Sequence, residues 1–200
     1  KPTTSNLNLV ANQTKANLVI VPVGTDGKVH LYNSAGNTNL VVDVMGYFHI
    51  GDAETTRAGR VIPLTAPYRV FDTREPAFGQ VPLGPGQSEA WSFANFANSV
   101  NVGGVSVGNQ SALLGNLTNA SLTRQYPTVG VDPGYITVCP GTCPVNGQGF
   151  PTYSNVNSTE TGPVPNMTLV PYGANYAVRV FNQRGYAHYI LDVSAVVLAD

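Results

Sequence analysis

The chain has 200 residues, room for one large β domain or one and a half small ones, but not for an enzyme with a separate cofactor domain. Ten Lys and Arg against eleven Asp and Glu give a formal net charge of −1, which argues against nucleic acid or an anionic membrane as partner. Hydrophobic residues make up 42%, enough for a core, and no apolar run reaches the ~18–20 residues of a spanning helix.

Charged residues are only 10% of the chain, so Asn, Ser, Thr, Gln, Gly and Tyr must cover its surface. Lysine occurs only as Lys1, Lys15 and Lys28. The 21 Gly and 15 Pro are spread evenly and cut the sequence into short strands and turns. This is an all-β composition.

In chain order, strand patterns first occur within 1–50. Val29 and Leu31 alternate with Lys28, His30 and Tyr32, and 40–44 is a near-continuous apolar run. Residues 51–59, with Asp52, Glu54 and Arg57 between glycines, read as a linker. Further strands are expected at 60–64, 69–73, 89–96, 100–107, 112–122 and 135–139. Near the C-terminus, Val178 and Val180 alternate with Ala177, Arg179 and Phe181, and 189–193 is again apolar. No stretch holds a 3.6-residue period over three turns. The expectation is an antiparallel β-sandwich or jelly-roll-like repeat of about eight or nine short strands.

The strongest signal is internal. At an offset of 149 residues, Ser5-Asn6-Leu7-Asn8 falls on Ser154-Asn155-Val156-Asn157. Without a gap, 17–24 (Asn-Leu-Val-Ile-Val-Pro-Val-Gly) falls on 166–173 (Asn-Met-Thr-Leu-Val-Pro-Tyr-Gly). The match continues from Val29-His30-Leu31-Tyr32-Asn33 to Val178-Arg179-Val180-Phe181-Asn182, then from Gly36 to Gly185 and Asp43-Val44 to Asp192-Val193. Two copies of one building block are present. Residues 60–200 read as a complete repeat, and 1–50 as the C-terminal part of a preceding one.

Ile62-Pro63-Leu64-Thr65, Arg69-Val70-Phe71-Asp72-Thr73-Arg74 and Gly134-Tyr135-Ile136-Thr137-Val138 precede these repeated blocks. Together, the ordered set resembles a tandem β-repeat of large secreted and surface proteins of high-GC Gram-positive bacteria. The resemblance covers nearly all of 1–50 and 60–200. It implies an extracellular, non-catalytic module and brings no catalytic residues. The chain departs from the pattern around 139–151, where a longer, cysteine-bearing loop replaces a short turn.

Cys139 and Cys143 flank Pro140-Gly141-Thr142, turn chemistry that suits a small disulfide loop. Free thiols are the alternative; a metal site would need four ligands, and no His lies near. Arg69, Asp72 and Arg74 form the densest charge cluster. They read either as a bidentate anion site or as an internal ion-pair set in which Arg69 or Arg74 neutralises Asp192 on its apolar strand. His30, His49 and His188 lie far apart, no nucleophile elbow is present, and nothing selects Asp132, Glu160 or Glu89 as a catalytic pair. No enzyme activity, cofactor or metal is expected. Tyr126, Tyr135, Tyr153 and Tyr176 are candidates for saccharide stacking, or simply strand residues with a wet hydroxyl.

Residues 1–50 cannot bury their apolar side chains alone. Leu18, Ile20, Leu31, Val42 and Val44 require a cover: the complete repeat, another subunit in a head-to-tail contact, or an adjoining part of a longer protein. Two functions are therefore expected. One is a structural module of the cell exterior (stalk, adhesin or filament component); the other is a carbohydrate-binding domain serving a secreted hydrolase and contacting cell-wall or other polysaccharide.

Overall fold

The structure is a computed structural model and describes residues 5–48, 56–102, 105–120, 134–158 and 163–199. Among the described residues, beside 3-10 turns at Pro76–Phe78 and Ala174–Tyr176, ten strands and one short α-helix occupy the second part of the chain. They are β1 (Val61–Asp72), β2 (Ser88–Ser92), α1 (Ala94–Ser99), β3 (Asn101–Val102), β4 (Val105–Ser106), β5 (Gln110–Asn119), β6 (Gly134–Pro140), β7 (Val156–Ser158), β8 (Val164–Pro171), β9 (Ala177–Asn182) and β10 (Tyr189–Leu198).

Two four-stranded antiparallel sheets run in the orders β1-β10-β5-β8 and β2-β9-β6-β7; β3 and β4 form a separate two-stranded ribbon. With the ribbon set aside, the eight sheet strands follow the order of a jelly roll, changing layer at every step except from β6 to β7. The fold is an all-β sandwich. Leu113, Leu117, Leu191 and Val193 of the first sheet share one buried core with Ile136, Val138, Val178 and Val180 of the second. Each such side chain contributes roughly 1.5–3 kcal/mol by leaving water. The alternation explains β9: Val178 and Val180 turn inward, while Arg179 turns outward to Gly141 O at 2.7 Å and Ser88 Oγ at 2.9 Å.

Several expected strands are redrawn. The two at 60–64 and 69–73 form one long β1, whose register against β10 shifts twice. The run expected at 89–96 ends at Ser92 and becomes a helical turn. Phe93 and Ala97 are buried and Phe96 and Val100 partly so, while Asn95 is exposed. Spacing of three and four seats these four on the core, whereas a strand would have buried Asn95 with Phe93 and Ala97. The run expected at 100–107 divides into the β3–β4 ribbon.

The largest departure concerns the first part of the chain. Among the described residues 5–48 no strand is assigned, against the expectation at 28–33 and 40–44. The topology supplies the reason. The equivalents of 7–9, 15–22, 28–33 and 40–48 are β7, β8, β9 and the first nine residues of β10. In the sandwich β7 pairs with β6, β8 with β5, β9 with β2 and β6, and β10 with β1 and β5. None of the four pairs with another of the four. A duplicate of these strands has no ladder to make within itself.

Cys139 and Cys143 are joined by a disulfide with Cα atoms 5.3 Å apart. The bridge lies on the outer face of the second sheet, in a satellite cluster with Phe181, Tyr135, Phe150 and Tyr153. It closes a small loop outside the main core, so Cys139→Ala/Cys143→Ala should cost about 2 kcal/mol. Urea unfolding should remain one cooperative transition at a lower midpoint, with the β-sheet circular-dichroism spectrum retained.

Candidate functional site

The residues Arg69, Asp72, Arg74 and Asp192 come together on β1 and β10. Arg69 faces Asp192 across the ladder and donates twice to it, Nε to Oδ1 at 2.8 Å and Nη2 to Oδ2 at 3.0 Å. Its Nη1 reaches Asp72 Oδ2 at 3.3 Å. Arg74 donates to Asp72 through Nε at 2.8 Å, Nη2 at 2.6 Å and its own amide at 3.1 Å. The Asp72 side chain is only 1% exposed, whereas those of Arg69 and Arg74 are 52% and 39% exposed. Hydrogen bonds from Arg74 hold the Asp72 carboxyl below the usual carboxylate range, against the opposing effect of burial. Both guanidinium groups are engaged by internal carboxylates, which favours the ion-pair reading of the cluster over the anion-binding one.

Gly115 on β5 lets the first sheet close beside this cluster. A Cβ there would stand 2.7 Å from the Asp192 carbonyl oxygen. The register of β10 against β5 shifts just beyond, between Val193 and Ala195.

Of the tyrosines, Tyr135 and Tyr153 pack on the disulfide cluster and Tyr176 on the main core. Tyr135 donates to Pro151 O at 2.9 Å and Tyr176 to Gly108 O at 3.3 Å. Tyr135 and Tyr153 thus lie together on the second sheet's outer cluster, apart from Tyr176; Tyr126 lies outside the described residues. His30 is exposed, His49 lies outside the described residues, and His188 is buried. Glu89 accepts a hydrogen bond from the Tyr189 hydroxyl, which itself accepts one from Trp91 Nε1 at 2.8 Å; Asp132 and Glu160 lie outside the described residues. Among the described residues, no group of three His, Cys, Asp or Glu is placed to hold a metal ion.

The repeated asparagines have a structural role that their motif alone did not reveal. Asn155 Oδ1 accepts the Val138 amide at 2.7 Å, and its Nδ2 donates to Thr168 Oγ1 at 2.6 Å. Asn166 Nδ2 donates to Asn155 O at 2.7 Å, and Asn182 Nδ2 to Leu83 O at 2.8 Å and Gly185 O at 2.9 Å. Asn155 and Asn182 are buried and Asn166 partly so; buried amides of this kind fasten loops to sheets because leaving them unpaired costs ~1–3 kcal/mol each.

Residues 5–48 reproduce the local part of this network. Asn17 Nδ2 donates to Asn6 O at 2.6 Å, as Asn166 does to Asn155. Asn33 Nδ2 donates to Gly36 O at 2.8 Å, as Asn182 does to Gly185, and both glycines have positive φ, +69° and +61°. The Gly24 amide donates to Lys28 O at 2.9 Å, as Gly173 does to Ala177 at 2.8 Å. The turns of the duplicated segment are thus made while its strand ladders are not.

What remains exposed there is apolar. Ile20, Leu31, Val42 and Val44 are 63–83% exposed, and Leu18 is half-buried. Leu31, Val42 and Val44 correspond to Val180, Leu191 and Val193, all buried in the sandwich core. Leu18 and Ile20 correspond to Met167 and Leu169, whereas the buried positions of β8 are Thr168 and Val170. The core-facing residues of that duplicate strand are therefore Val19 and Val21. Asp43, the counterpart of Asp192, makes no salt bridge among the described residues, because its arginine counterpart would stand on a β1 strand.

Comparison of the chain with protein-family models, with curated proteins and with solved structures gives no match.

Two predictions follow from the charge cluster and its neighbour His188. Arg74→Met removes two of the four hydrogen bonds on the buried Asp72 carboxylate, leaving Arg69 Nη1 and the residue-74 amide, and should cost about 2 kcal/mol, less than a fully enclosed pair because Arg74 touches water. Asp192→Ala should cost about 1 kcal/mol, since Arg69 keeps Asp72 and solvent; urea midpoints of the two variants test the order. His188 donates or accepts through Nδ1 with Thr73 Oγ1 at 3.1 Å, and its buried Nε2 has no hydrogen-bond partner among the described residues. Burial lowers its pKa, so the unfolded chain binds the proton first, and stability should fall as pH drops below ~6.5. The Asp72 contribution is present above ~3.9 and is lost only as pH falls through its lowered pKa. Thermal midpoints measured across this range should decline in two separate windows, with His188→Gln removing the upper one alone.

Proposed function

We propose that this chain is a non-catalytic structural module that works by strand-to-strand packing with a neighbouring repeat or subunit at the cell exterior, as a stalk, adhesin or filament component. One observation carries the reading: 5–48 holds duplicates of strands that, in the sandwich, take all their ladder partners from β1, β2, β5 and β6. An apolar segment with preformed turns and no internal ladder is suited to complete another sheet, where main-chain hydrogen bonds give affinity and alternate side chains give specificity. The disulfide fits an oxidising compartment, and the low charge density fits a surface covered by amides and hydroxyls. The engagement of both arginines by internal carboxylates and the separation of Tyr176 from Tyr135 and Tyr153 favour this reading over carbohydrate binding.

Electron microscopy and analytical ultracentrifugation of the purified protein test it. The expected result is concentration-dependent association that is suppressed by Val42→Asp or Val44→Asp, at positions that are solvent-exposed in the free chain. Monodisperse monomers at all concentrations, together with binding on a glycan array, would favour the carbohydrate-binding alternative instead.

A further inference from the structure

We infer that residues 5–48 are a second set of strands for the slot that β7–β10 fill, so that the chain has two exchangeable folded forms, one of which releases 154–199 to a second copy of the chain. This rests on the structural-module reading and names the partner surface: the β1, β2, β5 and β6 edges of the complete unit.

Three observations support it. First, the side chains that lock β7–β10 recur in register. Asn6, Asn17 and Asn33 stand for Asn155, Asn166 and Asn182, Asp43 stands for Asp192, and Val29, Leu31, Val42 and Val44 stand for buried core residues. With 40–48 in the β10 slot, Asp43 would meet Arg69. Second, the turns between the duplicate strands are already formed, with hydrogen bonds matching those of the C-terminal set. The segment therefore enters the slot with much of its local ordering done.

Third, the connection is short and suitably placed. The start of β1 lies against the end of β10: Gly59 N donates to Leu198 O at 2.9 Å and Leu198 N to Arg60 O at 3.0 Å. Phe48 corresponds to Val197, which pairs with Val61. Twelve residues separate 48 from 61, so an exchanged 40–48 would join β1 as an antiparallel hairpin. The exchanged form is a circularly permuted version of the same jelly roll, of the kind that adjacent ends permit.

The C-terminal set holds the slot for identifiable reasons. Lys15 replaces the partly buried Val164, Tyr47 replaces the fully buried Val196, and Leu40 lacks the hydroxyl through which Tyr189 meets Glu89 and Trp91. Val19 also removes the hydroxyl that Thr168 offers to Asn155. Weakening β10 should therefore hand the slot to 5–48. Among the described residues there are one slot and two sets of strands, so exchange leaves one set outside the slot, and that set can enter another copy where the resident set has been released.

The experiment is amide hydrogen exchange on the full chain carrying Leu191→Asp, which puts a charge at a fully buried position of β10. The expected result is a folded protein in which 40–48 gains protection and 189–198 loses it, and which unfolds when Val42→Asp is added. An unfolded Leu191→Asp chain, or a folded one with 40–48 still unprotected, overturns the proposal. A second measurement leaves the core intact: Leu18→Cys with Asn116→Cys, positions that face each other only if 15–22 replaces β8. Oxidation should yield an intramolecular crosslink, and its absence overturns the proposal. Association in which 40–48 and 189–198 are both protected would sustain the structural-module reading while overturning exchange.

Discussion

The organisation of this molecule depends on where backbone hydrogen bonds are supplied. In this jelly roll every step along the sheet strands except β6 to β7 changes layer, so most ladders join strands that are not neighbours in sequence. Here β7, β8, β9 and β10 draw every ladder from strands that precede them in the unit. Each contributes apolar side chains to a shared core, but none can be satisfied by the others. Buried backbone groups must be paired. The last four strands consequently behave as one dependent set, and a copy of that set is dependent in the same way.

This accounts for the contrast between two stretches of closely similar sequence. Asn-Leu-Val-Ile-Val-Pro-Val-Gly at 17–24 and Asn-Met-Thr-Leu-Val-Pro-Tyr-Gly at 166–173 have comparable strand propensity. One is a ladder strand beside β5, and the other has no assigned strand. Their local turn hydrogen bonds are alike, so the difference lies in tertiary context. Strand formation reflects the fit to neighbours more than an intrinsic preference.

How much was legible in the sequence follows the same division between local and non-local physics. Composition, turn residues and period-two alternation marked an all-β sandwich, and the Pro-Gly turn between Cys139 and Cys143 suited the bridge that forms. The 149-residue offset located the duplicated set, and charge scarcity singled out Arg69, Asp72, Arg74 and Asp192. The helical turn at 94–99 was not read because its signal is two residue pairs, too short for a period. The phase of the 17–21 strand was also missed: four consecutive apolar residues, Leu18 to Val21, carry no alternation, and only β8 reveals which face is buried. The asparagine clamps were visible as a motif but silent as to role, since key partners lie in other segments of the chain, Leu83 for Asn182 and Val138 for Asn155.

The charge cluster then has a positional meaning. The β1–β10 ladder contains two register shifts, and the β10–β5 ladder shifts near Val193, so apolar alternation alone fixes their alignment weakly. The bidentate Arg69–Asp192 pair sits between these irregularities and joins residues that face each other across the ladder. Asp72, buried at the end of β1, is held by Arg74 from the turn that follows and by Arg69 from the strand itself. Ion pairs of this kind add little net stability but penalise every alternative register in which a carboxylate would be buried alone. Asp43 repeats the acidic half of that lock in the duplicated strands. It therefore carries a register instruction that only a β1-type strand bearing an arginine at the equivalent of Arg69 can read.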